Sequence, residues 1–120
     1  MNDEKYQIDI GFILTKAPLE SSLTYSFLKI AKEAIVEGKT ISIFLLSDGV
    51  WLAKKNQKNN VVELFKTFLE KKINITISKD HLDAAGIEST DLLHGVITTE
   101  RPYSDLVDFV MEKCRRVMTL

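Results

Sequence analysis

With 120 residues, 16 basic and 17 acidic side chains and a net charge of −1, the chain lacks the charge that would draw it to nucleic acid or an anionic membrane. That length suits a single domain burying roughly two-thirds of its unfolded surface. The lone cysteine, Cys114, excludes an internal disulfide and any cysteine-based metal cluster.

In chain order, Met1-Asn2-Asp3-Glu4-Lys5 is polar, and the apolar run behind it is too short for a signal peptide. Tyr6 to Leu14 alternates and then turns continuously apolar, which predicts a first strand entering the core from the surface. Thr15 to Pro18 follows as a loop, with Pro18 suited to the first turn of a helix. Leu19, Leu23, Phe27, Ile30, Ala31 and Ala34 recur at spacings of three and four, the mark of one buried helical face. Gly38 is placed to end that helix. From Ile41 no charge appears before Asp48, and Asp48-Gly49 closes the run as a turn. A segment so short and apolar reads as a strand buried on both faces, at the centre of a parallel sheet.

Trp51-Leu52-Ala53 leads into Lys54 to Asn60, the most polar segment, which reads as a solvated surface loop in preference to an anion patch. Asn60 is a candidate N-cap for a second helix with Val61, Leu64, Phe65, Phe68 and Leu69 inward. Ile73 to Ile77 alternates strictly and is rich in β-branched residues, a third strand. Ser78 can cap a short helix running to Ala85, with Gly86 as its stop. Thr90 to Leu93 reads as one more turn before Gly95, and Val96 to Thr98 as a short fourth strand. Pro102 opens a last helix with Leu106, Val107, Val110 and Cys114 inward, and Val117 to Leu120 forms a fifth strand. No apolar stretch approaches the roughly 20 residues of a membrane span, and no linker or repeat divides the chain. The expectation is one cytoplasmic α/β domain over residues 1–120, three layers around a parallel sheet with right-handed crossovers. In such sheets ligands gather beyond the carboxyl ends of the strands, which points to Ser47, Asp48 and Gly49.

Three stretches carry a resemblance. They are Gly11-Phe12-Ile13-Leu14-Thr15-Lys16-Ala17-Pro18, then Gly38 to Val50 with its Phe44-Leu45-Leu46-Ser47-Asp48-Gly49-Val50 tail, and Ile73 to Ile87 with its Leu82-Asp83-Ala84-Ala85-Gly86-Ile87 end. In that order and spacing the chain resembles the DsrE/DsrF-like family, which includes the TusD, TusC and TusB subunits of bacterial sulfur relay. The resemblance implies a five-stranded parallel sheet ordered 4-3-2-1-5 and assembly into trimers or hexamers. It also implies a persulfide-carrying cysteine at the end of the third strand, within a Cys-x-x-Cys-Leu-x-Ala-Arg-Gly pattern. Here the two cysteine positions hold Ser78 and His81, and the arginine position holds Ala85.

A persulfide carrier needs an exposed thiolate, stabilised by a helix N-terminus or a nearby cation. Ser78 has the position and the wrong atom. Cys114 has the atom, on what reads as the packed face of a helix, and is expected to be buried and inert. No catalytic residue is therefore assigned. Ser78, Asp80 and His81 include the residue types of a hydrolase, yet within one helical turn they cap and decorate the helix. His81 and His94, with Asp48 or Asp80, contain metal-ligand types, but loop histidines are more often solvated, and no metal or cofactor is expected. Lys16 and Lys79 beside two helix starts make an anion-friendly corner without a glycine-rich phosphate loop. The pocket candidates are thus Lys16, Asp48, Gly49, Ser78, Lys79, His81 and His94, and the interface candidates Trp51 and Tyr103. The leading expectation is a non-catalytic subunit, forming a homo-oligomer or a hetero-oligomer with DsrE/DsrF-like homologues, with no nucleic acid or membrane partner. The alternative is a sensor or enzyme binding a small molecule or anion at the sheet edge through Lys16, Lys79 and His81.

Overall fold

In the computed structural model, which describes residues 5–120, the strand Ile41–Leu45 (β2) is buried at all five positions. The polar opening Met1 to Glu4 lies outside the described residues. On either side of β2 lie β1 (Ile8–Leu14) and β3 (Asn74–Ser78), both parallel to it. β4 (Ile97–Thr99) extends the sheet beyond β3, and β5 (Cys114–Thr119) pairs with the free edge of β1. The order is β4-β3-β2-β1-β5, as the resemblance implied.

Four helices join these strands: α1 (Ser22–Val36), α2 (Asn60–Glu70), α3 (Lys79–Ala85) and α4 (Pro102–Asp108). The chain steps outward from β1 to β4 and then returns to the far side of β1. Because crossovers share one hand, that reversal puts the last helix on the opposite face. One face of the sheet buries Phe12, Ile43 and Ile75 beneath Leu28 of α1 and Phe65 and Phe68 of α2. The other buries Ile13 and Phe44 beneath Phe109, whose ring meets Phe44 edge-on at 5.4 Å. Gly11 opens the space for this second core, since a Cβ there would sit 2.5 Å from the Cys114 sulfur.

Several boundaries and faces differ from expectation. α1 begins at Ser22, where the Ser21 side chain accepts from the Leu23 amide, and Pro18 belongs to the preceding turn. Its buried residues are Thr24, Leu28 and Ala31, whereas Leu19, Leu23 and Ile30 face outward. Small Thr24 and Ala31 let the helix approach the sheet around Leu28, so the bulkier neighbouring stripe is turned away. Asn59, one residue earlier than expected, caps α2 by accepting from the Val62 amide. The polar stretch after Ala53 is tied down. Lys55 donates to the Asp91 carbonyl at 2.7 Å, Leu93 to that of Ala53 at 2.8 Å, and the Gln57 amide to the carbonyls of Trp51 and Lys54.

The last helix differs most. After Asp108 the chain makes a π-helical turn, Phe109–Lys113. That wider turn breaks the three-and-four periodicity, brings Phe109 inward and leaves Val107 and Val110 exposed. Cys114 is consequently not on the helix; it is the first residue of β5.

Candidate functional site

The site grows from the carboxyl ends of β2 and β3. Beyond β2, the Leu46 amide still donates to the Leu14 carbonyl, and Ser47 then turns the chain with φ +51°. Gly49 lies beneath, where a Cβ would stand 2.0 Å from the Leu14 carbonyl oxygen, so no other residue fits there. Gly49 is therefore a packing residue, and the walls of the hollow described below do not include it. Ser47–Ala53 forms a 3₁₀ helix. With three residues per turn, Asp48 and Trp51 stack on one side of it.

Beyond β3, Ser78 is wholly buried, and its hydroxyl oxygen accepts the His81 amide at 3.3 Å to cap α3. Gly86, left-handed with φ +73°, ends that helix as expected. His81, Ala84 and Ala85 share one side of α3. The Ser47 amide donates to His81 Nδ1 at 2.7 Å, which joins the two connections. A nitrogen that accepts is unprotonated, so the ring in this bond is neutral and carries its hydrogen on Nε2. Tyr103 of α4 stands edge-on to the same ring, centroids 6.5 Å apart. Between the connections lies a hollow of about 210 Å³ lined by Ser47, Asp48, Trp51, His81, Ala84 and Ala85.

The remaining candidates lie elsewhere. Lys79 pairs with Asp83 at 2.7 Å; that hydrogen bond and the Asp83 charge hold its ammonium above the usual lysine range. It borders separate clefts toward β4. Lys16 follows β1 and stands 4.0 Å from Glu20. Since β2 separates β1 from β3, the two lysines do not form one corner. His94 is exposed in a cleft with Lys55 and Thr90, apart from His81. Among the described residues no three His, Cys, Asp or Glu side chains gather as metal ligands.

Cys114 opens β5 in register with Ile8, at the amino end of the sheet, whereas Ser78 closes β3 at the carboxyl end. Its residue is 3% exposed. Burial pushes the thiol from its ordinary 9.0 up to about 11, against a weak opposing pull from Lys113. The one sulfhydryl is thus protonated at neutral pH, shielded and on the wrong edge. Sequence reasoning missed Ala84 and Ala85 as walls and the Ser47–His81 link, which spans 34 positions. The three-residue spacing of Asp48 and Trp51 was the one local signal available, and it speaks only once a 3₁₀ helix is known.

The sheet order and the helices on both faces define an α/β/α protein whose crevice opens where β2 and β3 end. The chain belongs to the DsrE/DsrF-like family, whose model matches residues 9–120. It is 35% identical over 104 residues to the uncharacterized protein MJ0989 of Methanocaldococcus jannaschii, covering 83% of this chain and 90% of that one. It is 32% identical over 107 residues to the uncharacterized protein MK0008 of Methanopyrus kandleri, covering 86% and 87%. In fold it is similar to the crystal structure of the ychN protein from E. coli, with a TM-score of 0.78 at 20% identity over 95% of this chain and 100% of that one. The protein of unknown function MTH1491 from Methanobacterium thermoautotrophicum aligns with a TM-score of 0.70 at 13% identity, covering 92% and 99%. Among the described residues no helix is long and apolar enough to cross a membrane.

Proposed function

We propose that this chain is a cytoplasmic binding subunit of the DsrE/DsrF-like kind, linked to sulfur metabolism through the complexes it joins and carrying no sulfur itself. One observation supports this above the rest. Where a carrier would present a thiolate, the chain has the Ser78 hydroxyl, wholly buried and engaged in capping α3. Its pKa lies far above that of a thiol, and an alkoxide–sulfur bond is no store for transferable sulfur. The buried Cys114 at the other end of the sheet offers no substitute.

Assembly is supported by two exposed apolar stripes. Leu23 and Ile30 mark one along α1, beside Leu19; Tyr103, Val107, Val110 and Met111 mark the other along α4 and its π turn. Contiguous exposed apolar residues point to interaction sites in a way that scattered ones do not. The stripes differ in sequence and belong to elements on opposite faces of the sheet. Pairing one with the other on a second copy is a head-to-tail contact, the kind that closes into a ring. The test is native mass spectrometry of the purified protein. A trimer or hexamer that falls to monomer in Met111→Asp and in Leu23→Asp supports the reading. A monomer at every concentration, with no complex formed with a cysteine-bearing homologue, contradicts it.

A further inference from the structure

We propose that the hollow between Asp48, Trp51 and His81 binds a small organic cation, an ammonium or guanidinium group on a small molecule. Three features of its walls converge on that chemistry. Asp48 is the only formally charged side chain among the six lining residues. Its carboxylate has no hydrogen bond or ion pair among the described residues, and the lysine across α3, Lys79, is held by Asp83. Trp51 lies one 3₁₀ turn beyond Asp48 on the same side. Indole is the aromatic surface that attracts cations most strongly, and recognition of ammonium groups by aromatic walls uses this attraction.

The third wall, His81, adds no opposing charge. Because its Nδ1 is occupied by the Ser47 amide, the imidazole in this geometry is neutral. Ala84 and Ala85 complete the lining with methyl groups only, which keeps the space open. A volume of about 210 Å³ suits a cationic head and a few attached carbons. An anion would meet the Asp48 carboxylate and, among the lining side chains, no cation.

Trp51 is the chain's single tryptophan, so its emission reports directly on this hollow. The probe is butylguanidinium, titrated at constant ionic strength into the intact protein and compared with butylurea, a neutral molecule of nearly the same shape. The expected result is a saturable change in emission with butylguanidinium in the millimolar range and binding of butylurea at least about tenfold weaker. Asp48→Asn, at an exposed position, should weaken the cation about tenfold while leaving the melting temperature unchanged. Ala85→Arg, which places a long basic side chain in the hollow, should abolish the response. No saturable change in the wild type, an equal response to butylurea, or full binding by Asp48→Asn would overturn the proposal. Native mass spectrometry of the same samples separates this claim from the assembly reading, because a monomer can bind the probe and an oligomer can fail to.

Discussion

The Ser47 amide and His81 Nδ1, 2.7 Å apart, join the chain leaving β2 to the chain leaving β3. The bond holds a non-glycine residue in the left-handed region and fixes the orientation of the one imidazole in the hollow. Because the pair is solvent-accessible, its net contribution belongs at the ordinary level for a hydrogen bond, about 1 kcal/mol. His81→Ala should therefore lower stability by about that amount in urea denaturation. It should also speed hydrogen exchange at the Ser47 amide. Unchanged exchange there would show that the bond does not restrain the turn.

Two glycines make contrasting predictions. Gly49→Ala drives a methyl into the Leu14 carbonyl, a backbone atom that cannot move aside. It should destabilise by about 3 kcal/mol or more, or prevent folding. Gly11→Ala meets side chains instead, the Cys114 sulfur and the Phe109 ring. Its loss should be about 1–3 kcal/mol, and Cys114→Ala in the same background should recover part of it. A double-mutant cycle from urea melts measures that coupling. Strict additivity would mean that the two sites do not share the space.

Ser78 is predicted to matter for folding. Ser78→Ala removes the side-chain acceptor for the His81 amide and should lower stability by about 1 kcal/mol. Ser78→Thr keeps the oxygen but must find room for a methyl at a wholly buried position, so it should fall short of full rescue. A neutral Ser78→Ala would remove the cap from the account.

Much of this architecture is legible in the sequence. β2 announced itself by an uncharged run ended at Asp48-Gly49, and α3 by Ser78 and Gly86 at its two ends, because burial and capping act through the local sequence. In α1 the three-and-four spacing through Leu23 and Ile30 pointed to the wrong face: both are exposed, and Thr24, Leu28 and Ala31 are buried instead. The position of Cys114 was misread for a different reason. A π turn adds a residue to the helical period, and nothing in Phe109 to Lys113 signals it. The hollow was partly legible: Asp48 and His81 were pocket candidates and Trp51 an interface candidate, but their meeting depends on a 3₁₀ helix and a long-range hydrogen bond. Lys16, Lys79 and His94 drew attention by residue type, and none of them lines that hollow.

Cys114 gives a pH dependence of defined sign. The folded chain holds the thiol proton to about pH 11, whereas an unfolded chain releases it near 9.0. The stabilisation from this group is therefore complete below pH 9 and is lost as pH rises through 11. The rise from 9.0 to about 11 corresponds to at most about 3 kcal/mol. The stability difference between wild type and Cys114→Ala should be constant below pH 9 and shrink above it. A difference that stays flat to pH 11 would show that the thiol is not shielded.

The most direct test of the account is the intact mass of the folded protein after exposure to a persulfide donor. The predicted result is an unchanged mass for the native chain, with a single-sulfur adduct at Cys114 appearing only when the chain is unfolded in urea before exposure. A stoichiometric adduct on the native protein, lost in Cys114→Ala, would show that this subunit carries sulfur after all.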